Sequence, residues 1–287
     1  MIPAKFDYIR ASSVDEALSL LQQHGDEAKL LAGGHSLLPS MKLRLSTPAK
    51  LIDIARISEL RYIRDEGSVI AIGAASTHRD IAASGEVAAK APLLKQAAES
   101  IGDVQVRNMG TIGGSLAHAD PAADYPAAIL ATEAEIVVKG SGGQRSVPAS
   151  DFFQGLYETA LQPDEIIIEV RVPAQPDGAG SAYLKFPHPA SRFAVVGCAA
   201  MVHKSGGTCD LVRVAFTGVA DHAFRDSNVE KALNGKAADE TAIAAAAEQA
   251  AQGVDLMGDA FASEDYRQHL AKVYAQRALS EAVAQAT

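Results

Sequence analysis

The stretch that most constrains this chain is Thr111–Asp124, TIGGSLAHADPAAD. Gly113 and Gly114 carry no side chain, so backbone and ligand can approach closely there, and glycine also admits φ > 0 without strain. Thr111 and Ser115 flank the pair with hydroxyls. Asp120-Pro121 reads as an N-cap followed by a first helical residue, which places a helix start there and Asp124 one turn in. An earlier stretch, Leu31-Ala32-Gly33-Gly34-His35-Ser36, repeats the chemistry about 80 residues before. Each Gly-Gly turn reads as a nest of backbone N–H groups, and two nests suit a pyrophosphate better than a single phosphate. A carboxylate beyond the second nest suits sugar hydroxyls.

Composition removes several alternatives. The net charge of -9 carries no basic stripe, and Trp is absent, so neither nucleic-acid electrostatics nor an aromatic stacking platform is provided. The two cysteines, Cys198 and Cys209, lie in apolar runs and read as buried free thiols; an iron–sulfur cluster needs four ligands. His118-Ala119-Asp120 has no third ligand at a recurring spacing, which argues against a metal. No G-x-x-x-x-G-K-[ST] and no G-x-G-x-x-G occurs, against a Walker or Rossmann site. The start of the chain has no apolar signal core, and no run approaches the ~20 residues of a membrane span, so a cytoplasmic protein is expected.

Read in order, Phe6–Ile9, a helix from Ser13-Val14-Asp15-Glu16 to Gly25, and Lys29–Ala32 make a strand–helix–strand unit that ends on the first glycine loop. Leu51–Ile54 is a further strand. Arg61–Arg64 and Val69–Gly73 flank a turn, DEGS; Thr77–Ser84 and Pro92–Ile101 read as helices, and Val104–Arg107 as extended. Glu135–Lys139 pairs with Gln144–Val147 across Gly140–Gly143, and Ile166–Val172 is the strongest strand signal. Asp164, Glu165 and Glu169 read as solvated charges. Pro173–Ser181 is a linker by composition. Beyond it come three strands, Ala182–Phe186, Ala194–His203 and Thr208–Gly218, and helices at Phe224–Leu233, Ala237–Gln252 and Ser263–Ala286. The fold class is α+β in two larger parts divided near residue 177.

The two loops, with Ile2-Pro3 near the start and Pro163-Asp164-Glu165-Ile166 before the long strand, resemble the FAD-binding medium subunit of molybdenum hydroxylases over essentially the whole chain. Aerobic carbon monoxide dehydrogenase medium subunits look nearest, and the flavin domain of xanthine dehydrogenase more distant. The resemblance implies a PCMH-type, vanillyl-alcohol-oxidase-like FAD-binding domain over residues 1–177, with α/β subdomains of about 1–58 and 59–177. It implies a C-terminal domain over 178–287, a three-stranded sheet with a helix bundle.

Position by position, the resemblance places Leu31, Ala32, Gly33, Gly34, His35, Ser36 and Leu37 around the FAD pyrophosphate, with Thr111, Gly113, Gly114 and Ser115 on its other side. It gives Asp124 a contact with the flavin's polar portion, Ile167 a main-chain contact, Ile101 a place in the flavin site, and Lys185 a place near the isoalloxazine. Phe193 stands where the carbon monoxide dehydrogenase subunit has a tyrosine, which removes a phenolic hydrogen bond and leaves packing or gating. Ser115 replaces a common asparagine with a shorter polar side chain. No residue is assigned to catalysis, and no metal ligand is expected.

The implied function is electron transfer. A large subunit with a molybdenum–pterin cofactor oxidises substrate, two 2Fe-2S clusters in a small subunit relay electrons to FAD on this chain, and an external acceptor takes them. A dimer of heterotrimers, a heterohexamer, is implied. Two other readings stay open: a flavin-free scaffold subunit, which the intact glycines disfavour, and a free-standing flavin oxidoreductase, for which the short C-terminal part leaves little substrate cap.

Overall fold

Three sheets, each with its own apolar core, carry the architecture. The computed structural model describes residues 1–287. The first sheet is parallel, in the spatial order Asp7–Arg10, Lys50–Asp53, Ala28–Leu31. The helix Val14–His24 crosses over between its strands and buries Val14, Ala17, Leu18 and Leu21, the positions that recur at helical spacing. Ser13 Oγ accepts from Glu16 N at 3.1 Å, but the Glu16 carboxylate turns back to Ser12 instead of Ser13, so the capping box is half formed.

The second sheet is antiparallel with five strands, in the order Ile63–Asp65, Val69–Gly73, Ile166–Pro173, Glu135–Gly140, Gly143–Pro148. Its Ile70, Ile72, Ile136, Val138, Val170 and Val172 pack with Leu93, Leu94, Leu116, Tyr125 and Ile129 from the helices Pro92–Ser100, Ile112–His118 and Asp124–Ala131 in the largest buried cluster. The central strand carries a bulge between Ile167 and Glu169, which re-aims side chains locally. Glu169 is consequently buried and not the expected surface charge: it accepts from Tyr62 Oη at 2.6 Å and pairs with Arg171 at 2.8 Å. Burial and this carboxylate push the Tyr62 phenol up to about 12. The Glu165 side chain, 9% exposed, is likewise held by Arg145.

The third sheet, Gly180–Pro187, Ala194–Ser205, Thr208–Thr217 and the short Phe224–Arg225, is antiparallel and packs against the 22-residue helix Glu264–Gln285. Phe224–Arg225 is thus a strand edge, and the helix expected from Phe224 begins at Ser227 behind the Asp226 cap. The Ala-rich helix runs only over Glu240–Ala247. Cys198 and Cys209 are buried and unpaired. No helix is long and apolar enough to cross a membrane.

Two local expectations fail where the site is built. Val104–Arg107 is not extended: Val104–Met109 is a helix, because Asp103 Oδ1 accepts from Val106 N at 2.9 Å and caps it. No helix begins at Asp120-Pro121. The helix Ile112–His118 starts inside the second glycine loop under a Thr111 cap and stops at Ala119 in the left-handed region (φ 49°). Asp120 then caps a turn, accepting from Ala122 N at 2.9 Å, and the next helix starts at Asp124 itself.

Candidate functional site

The two glycine loops pack side by side, Ala32 beside Gly114 and Gly33 against Gly110, and both line a cleft of about 670 Å³, within the usual range of ~300–1,000 Å³ for small-molecule sites. Ala32, Gly33, Gly34, His35, Ser36, Leu37, Ile101, Thr111, Gly113, Gly114, Ser115, Asp124, Ile167 and Phe193 all line it. Leu31 and Lys185 do not; Leu31 ends the strand that delivers the first loop, and Lys185 lies behind Asp124.

The loops are chemically unlike. Between the strand Ala28–Leu31 and the helix Leu37–Lys42, the backbone N–H groups of Ala32 through Leu37 donate to no acceptor in the chain. His35 Nδ1 folds back onto Gly33 O at 3.1 Å, and Gly34 takes φ +71°, which a residue with a side chain adopts only under strain. This row of uncommitted donors on the cleft wall is an anion cradle. The second loop is not a second nest. Ile112 N donates to Ser76 O at 3.1 Å, Gly113 N to Ala74 O at 2.9 Å, and Gly114 N to Thr111 Oγ1 at 3.2 Å. What it offers the cleft is the Ser115 hydroxyl, which has no partner in the chain, and a bare face at Gly114.

Each glycine is therefore present for its own reason. A Cβ on Gly33 would stand 2.1 Å from Met109 O, and one on Gly113 2.6 Å from Ala74 Cβ. These two residues press the loops against their supports. A Cβ on Gly114 meets only Thr111 Oγ1, at 2.8 Å, and Ala32 Cβ, at 4.0 Å, so its open side is the cleft. Gly113 and Gly114 do not adopt positive φ; close approach, not backbone handedness, requires glycine there.

Asp124 projects from the first residue of its helix into a buried polar group. Tyr183 Oη donates to Oδ1 at 2.5 Å, and Lys185 Nζ lies 2.9 Å from Oδ1 and 3.0 Å from Oδ2. Side-chain exposure is 5% for Asp124 and 8% for Lys185. Burial pushes the Asp124 carboxyl up, and Lys185 and Tyr183 pull it back. Lys185 also donates to Arg192 O at 2.7 Å, and so ties Asp124 to the 188–193 loop that brings Phe193 to the cleft. The segment before Asp124 is clamped by the third sheet. Thr217 Oγ1 donates to Pro121 O and Ala123 O, both at 2.7 Å, Gly218 N to Pro121 O at 2.6 Å, and Ala194 N to Ala122 O at 3.1 Å.

Sequence reasoning missed Tyr183, Arg107, which ties the carbonyl of Ile101 at 2.9 Å, and His78, a buried histidine in the cleft wall. None has a local signal: each reaches the site only through contacts distant in sequence or through the helix Val104–Met109, whose local alternation suits a strand. His118 and Asp120 also line the cleft, the His118 ring centroid 5.1 Å from that of Tyr157. No group of three or more His, Cys, Asp or Glu side chains is arranged to hold a metal.

Against known families, residues 4–175 match the family described as the FAD binding domain in molybdopterin dehydrogenase, and residues 181–282 the CO dehydrogenase flavoprotein C-terminal domain. The carbon monoxide dehydrogenase medium chain of Hydrogenophaga pseudoflava is 48% identical over 286 residues, 98% of either chain. The 6-hydroxypseudooxynicotine dehydrogenase complex subunit alpha of Paenarthrobacter nicotinovorans is 37% identical, over 99% of this chain and 96% of that one. Among solved structures, carbon monoxide dehydrogenase from Hydrogenophaga pseudoflava, lacking the Mo-pyranopterin moiety, contains a chain that superposes with a TM-score of 0.97 at 48% identity, each chain covered completely.

Proposed function

Since the chain belongs to the family of FAD-binding medium subunits of molybdenum hydroxylases, we propose that the cleft between its two glycine loops is the FAD site and that the chain relays electrons within a larger dehydrogenase. The observation that carries the reading is the row of free N–H groups from Ala32 to Leu37, lining the same cleft as the bare Gly114 beside it. A pyrophosphate is the part of FAD that needs many donors and tolerates no side chain in its path. Ser36 and Ser115 add hydroxyls at this end. Thr111 and Gly113 act from behind, holding the second loop in place. Asp124, locked by Tyr183 and Lys185, offers a fixed acceptor to the flavin's polar portion, and Ile101, Ile167 and Phe193 enclose its ring. Lys185 acts through Asp124 and Arg192 O and so positions the site.

Bound FAD supplies a carrier that takes up and releases two electrons, and the protein's part is to place it and tune its surroundings. The chain's own contribution is to bind, orient and partly desolvate the cofactor; it brings two cysteines and no group of side chains arranged to hold a metal. The proposal extends to a molybdenum–pterin large subunit and a small subunit with two 2Fe-2S clusters, assembled as a dimer of heterotrimers in the cytoplasm, and to an external acceptor. It includes a PCMH-type fold over 1–177 and a C-terminal domain over 178–287. Relatives named for carbon monoxide and for 6-hydroxypseudooxynicotine align over nearly the whole chain, so the substrate is set on the partner that binds it.

The test is purification of the assembled enzyme from its native source with cofactor release on denaturation. FAD, not FMN, is expected, at one per copy of this chain, with molybdenum and iron in the same complex. A colourless assembly that takes up no added FAD refutes the site.

A further inference from the structure

His78 lines the cleft, yet the reading above gives it no role. Its place is fixed by backbone. Thr77 and Thr111 form an antiparallel bridge, His78 N donates to Gly110 O at 3.0 Å, and Ile112 N to Ser76 O at 3.1 Å. The imidazole lies under Gly110: a Cβ built on Gly110 would be 2.4 Å from His78 Nε2. On the other side, a Cβ on Gly33 would be 2.7 Å from Gly110 Cα. A single backbone residue thus separates the ring from the anion cradle.

His78 is 5% exposed, its Nδ1 is buried without a partner, and no hydrogen bond engages Nε2. A buried polar group left unpaired is costly. The groups facing it are predominantly cationic or neutral. His35 comes from the cradle and Arg107 from the helix Val104–Met109; the Tyr125 ring meets it edge-on at 5.3 Å, with a hydroxyl that also lacks a partner. On its own helix, Arg79 is engaged by Asn108 at 2.9 Å, and the Asp80 carboxylate by Thr77 N at 3.1 Å and Arg61 at 3.5 Å. Burial first, then His35 and Arg107, holds the imidazole down at about 4. Two negative charges seated one residue away reverse the sign of that local field.

We propose that His78 takes up a proton when a pyrophosphate seats on Ala32–Leu37, so that FAD binding by this chain is proton-linked through a group that never has to touch the cofactor. The proposal rests on the FAD reading of the cleft. Its sign follows from linkage: a group that binds its proton more tightly in the loaded state makes affinity rise as pH falls through the loaded-state pKa, and the gain levels off at the free-state value. One linked proton gives at most about tenfold in affinity per pH unit.

The experiment is calorimetric titration of the flavin-stripped, assembled enzyme with FAD at about pH 8 and about pH 5.5, in two buffers of different ionisation enthalpy, so that proton uptake is measured directly. The wild type is expected to take up most of one proton at the lower pH and to bind FAD at least about fivefold tighter there, inside the one-proton ceiling. His78→Gln should abolish the uptake and flatten the affinity to within about twofold, while His35→Gln, the other histidine at the cradle, keeps both. Wild type without proton uptake, or uptake that survives in His78→Gln, overturns the proposal. If His78→Gln does not assemble, loss of uptake in His35→Gln overturns it by assigning the proton to the exposed ring. Wild type that binds no FAD at either pH refutes the FAD reading and this proposal together, whereas tight but pH-independent binding refutes only the proposal.

Discussion

Lys185→Met is the most informative single perturbation. The resemblance to flavin subunits suggested a cation beside the isoalloxazine, whereas the structure shows a buried pair with Nζ 2.9 Å from Asp124 Oδ1 and side-chain exposures of 8% and 5%. Met keeps the aliphatic stem and deletes the charge, so packing is held nearly constant. At 2.9 Å and an effective dielectric of about 20, the attraction lost is about 6 kcal/mol. Part of that is offset because the ammonium no longer has to be desolvated, and a loss of about 3–5 kcal/mol is expected, the usual cost of orphaning one partner of a buried pair. The carboxyl of Asp124, already pushed up by burial, rises further without its cation. A carboxyl whose folded pKa lies above its unfolded value makes stability fall as pH rises between the two, so the variant's deficit should be largest near neutral pH and shrink on acidification toward the unfolded value of about 3.9. Urea denaturation of the variant, wild type and the double variant Asp124→Asn/Lys185→Met over that pH range is the assay. The double variant should recover most of the loss, since Asn keeps an acceptor for Tyr183 and no buried charge remains. A single-variant cost below about 1 kcal/mol with no pH dependence, the behaviour of a solvated pair, refutes the reasoning, as does a double variant no better than the single.

Three further outcomes follow from the same geometry. Gly113→Ala forces a Cβ to 2.6 Å from Ala74 and should cost about 1–3 kcal/mol by overpacking, while Gly114→Val, whose side chain enters the cleft, should lose FAD with a smaller fall in the thermal midpoint; equal effects of the two on stability and on FAD content would show that the loops are not divided as described. Thr217→Val leaves Ala123 O without its donor at 2.7 Å and should cost about 1–3 kcal/mol and weaken FAD binding by loosening the segment before Asp124, measured by urea denaturation and flavin titration; unchanged affinity would detach the third sheet from the site. The separated chain, with two cysteines and no group of side chains arranged to hold a metal, should not reduce its flavin with any substrate of the assembled enzyme, and substrate-dependent bleaching by a metal-free preparation would contradict the electron-relay role.

Most of the scaffold was legible because burial and local geometry agree in it. Val14, Ala17, Leu18 and Leu21 recur at helical spacing and are the buried residues of their helix. The strands of the five-stranded sheet and the three long strands of the C-terminal sheet lie within a residue or two of their expected runs, with turns at Glu66–Ser68 and Gly206-Gly207. The failures share a cause. Four residues of alternation in Val104–Arg107 suit a strand as well as a helix, and the Asp103 side chain decides for the helix. Asp120-Pro121 has the signature of a helix start, but the Pro121 and Ala123 carbonyls are claimed by Thr217, which comes 96 residues after Pro121. A chain read locally has no access to that competitor. Glu169 looks like a surface charge until the bulge beside it turns its side chain inward.

The site was legible as a set of positions and illegible as chemistry. Glycine is the reason for both: its side chain says nothing, so a Gly-Gly pair marks that space is needed without saying what fills it. In Gly33 and Gly113 the space is filled by the chain itself, at Met109 and Ala74; at Gly34 the need is a left-handed turn; only at Gly114 does the open side face the cleft. The division matters for function because a cradle of N–H donors binds an anion only if those donors are not already used. Hydrogen bonds to Ser76, Ala74 and Thr111 consume the donors of Ile112 through Ser115, and none consumes those of Ala32–Leu37. The two loops therefore divide the work, one supplying the donors and the other the clearance, and a substitution that restores a side chain at Gly114 should be more damaging to cofactor binding than the loss of any one hydroxyl around it.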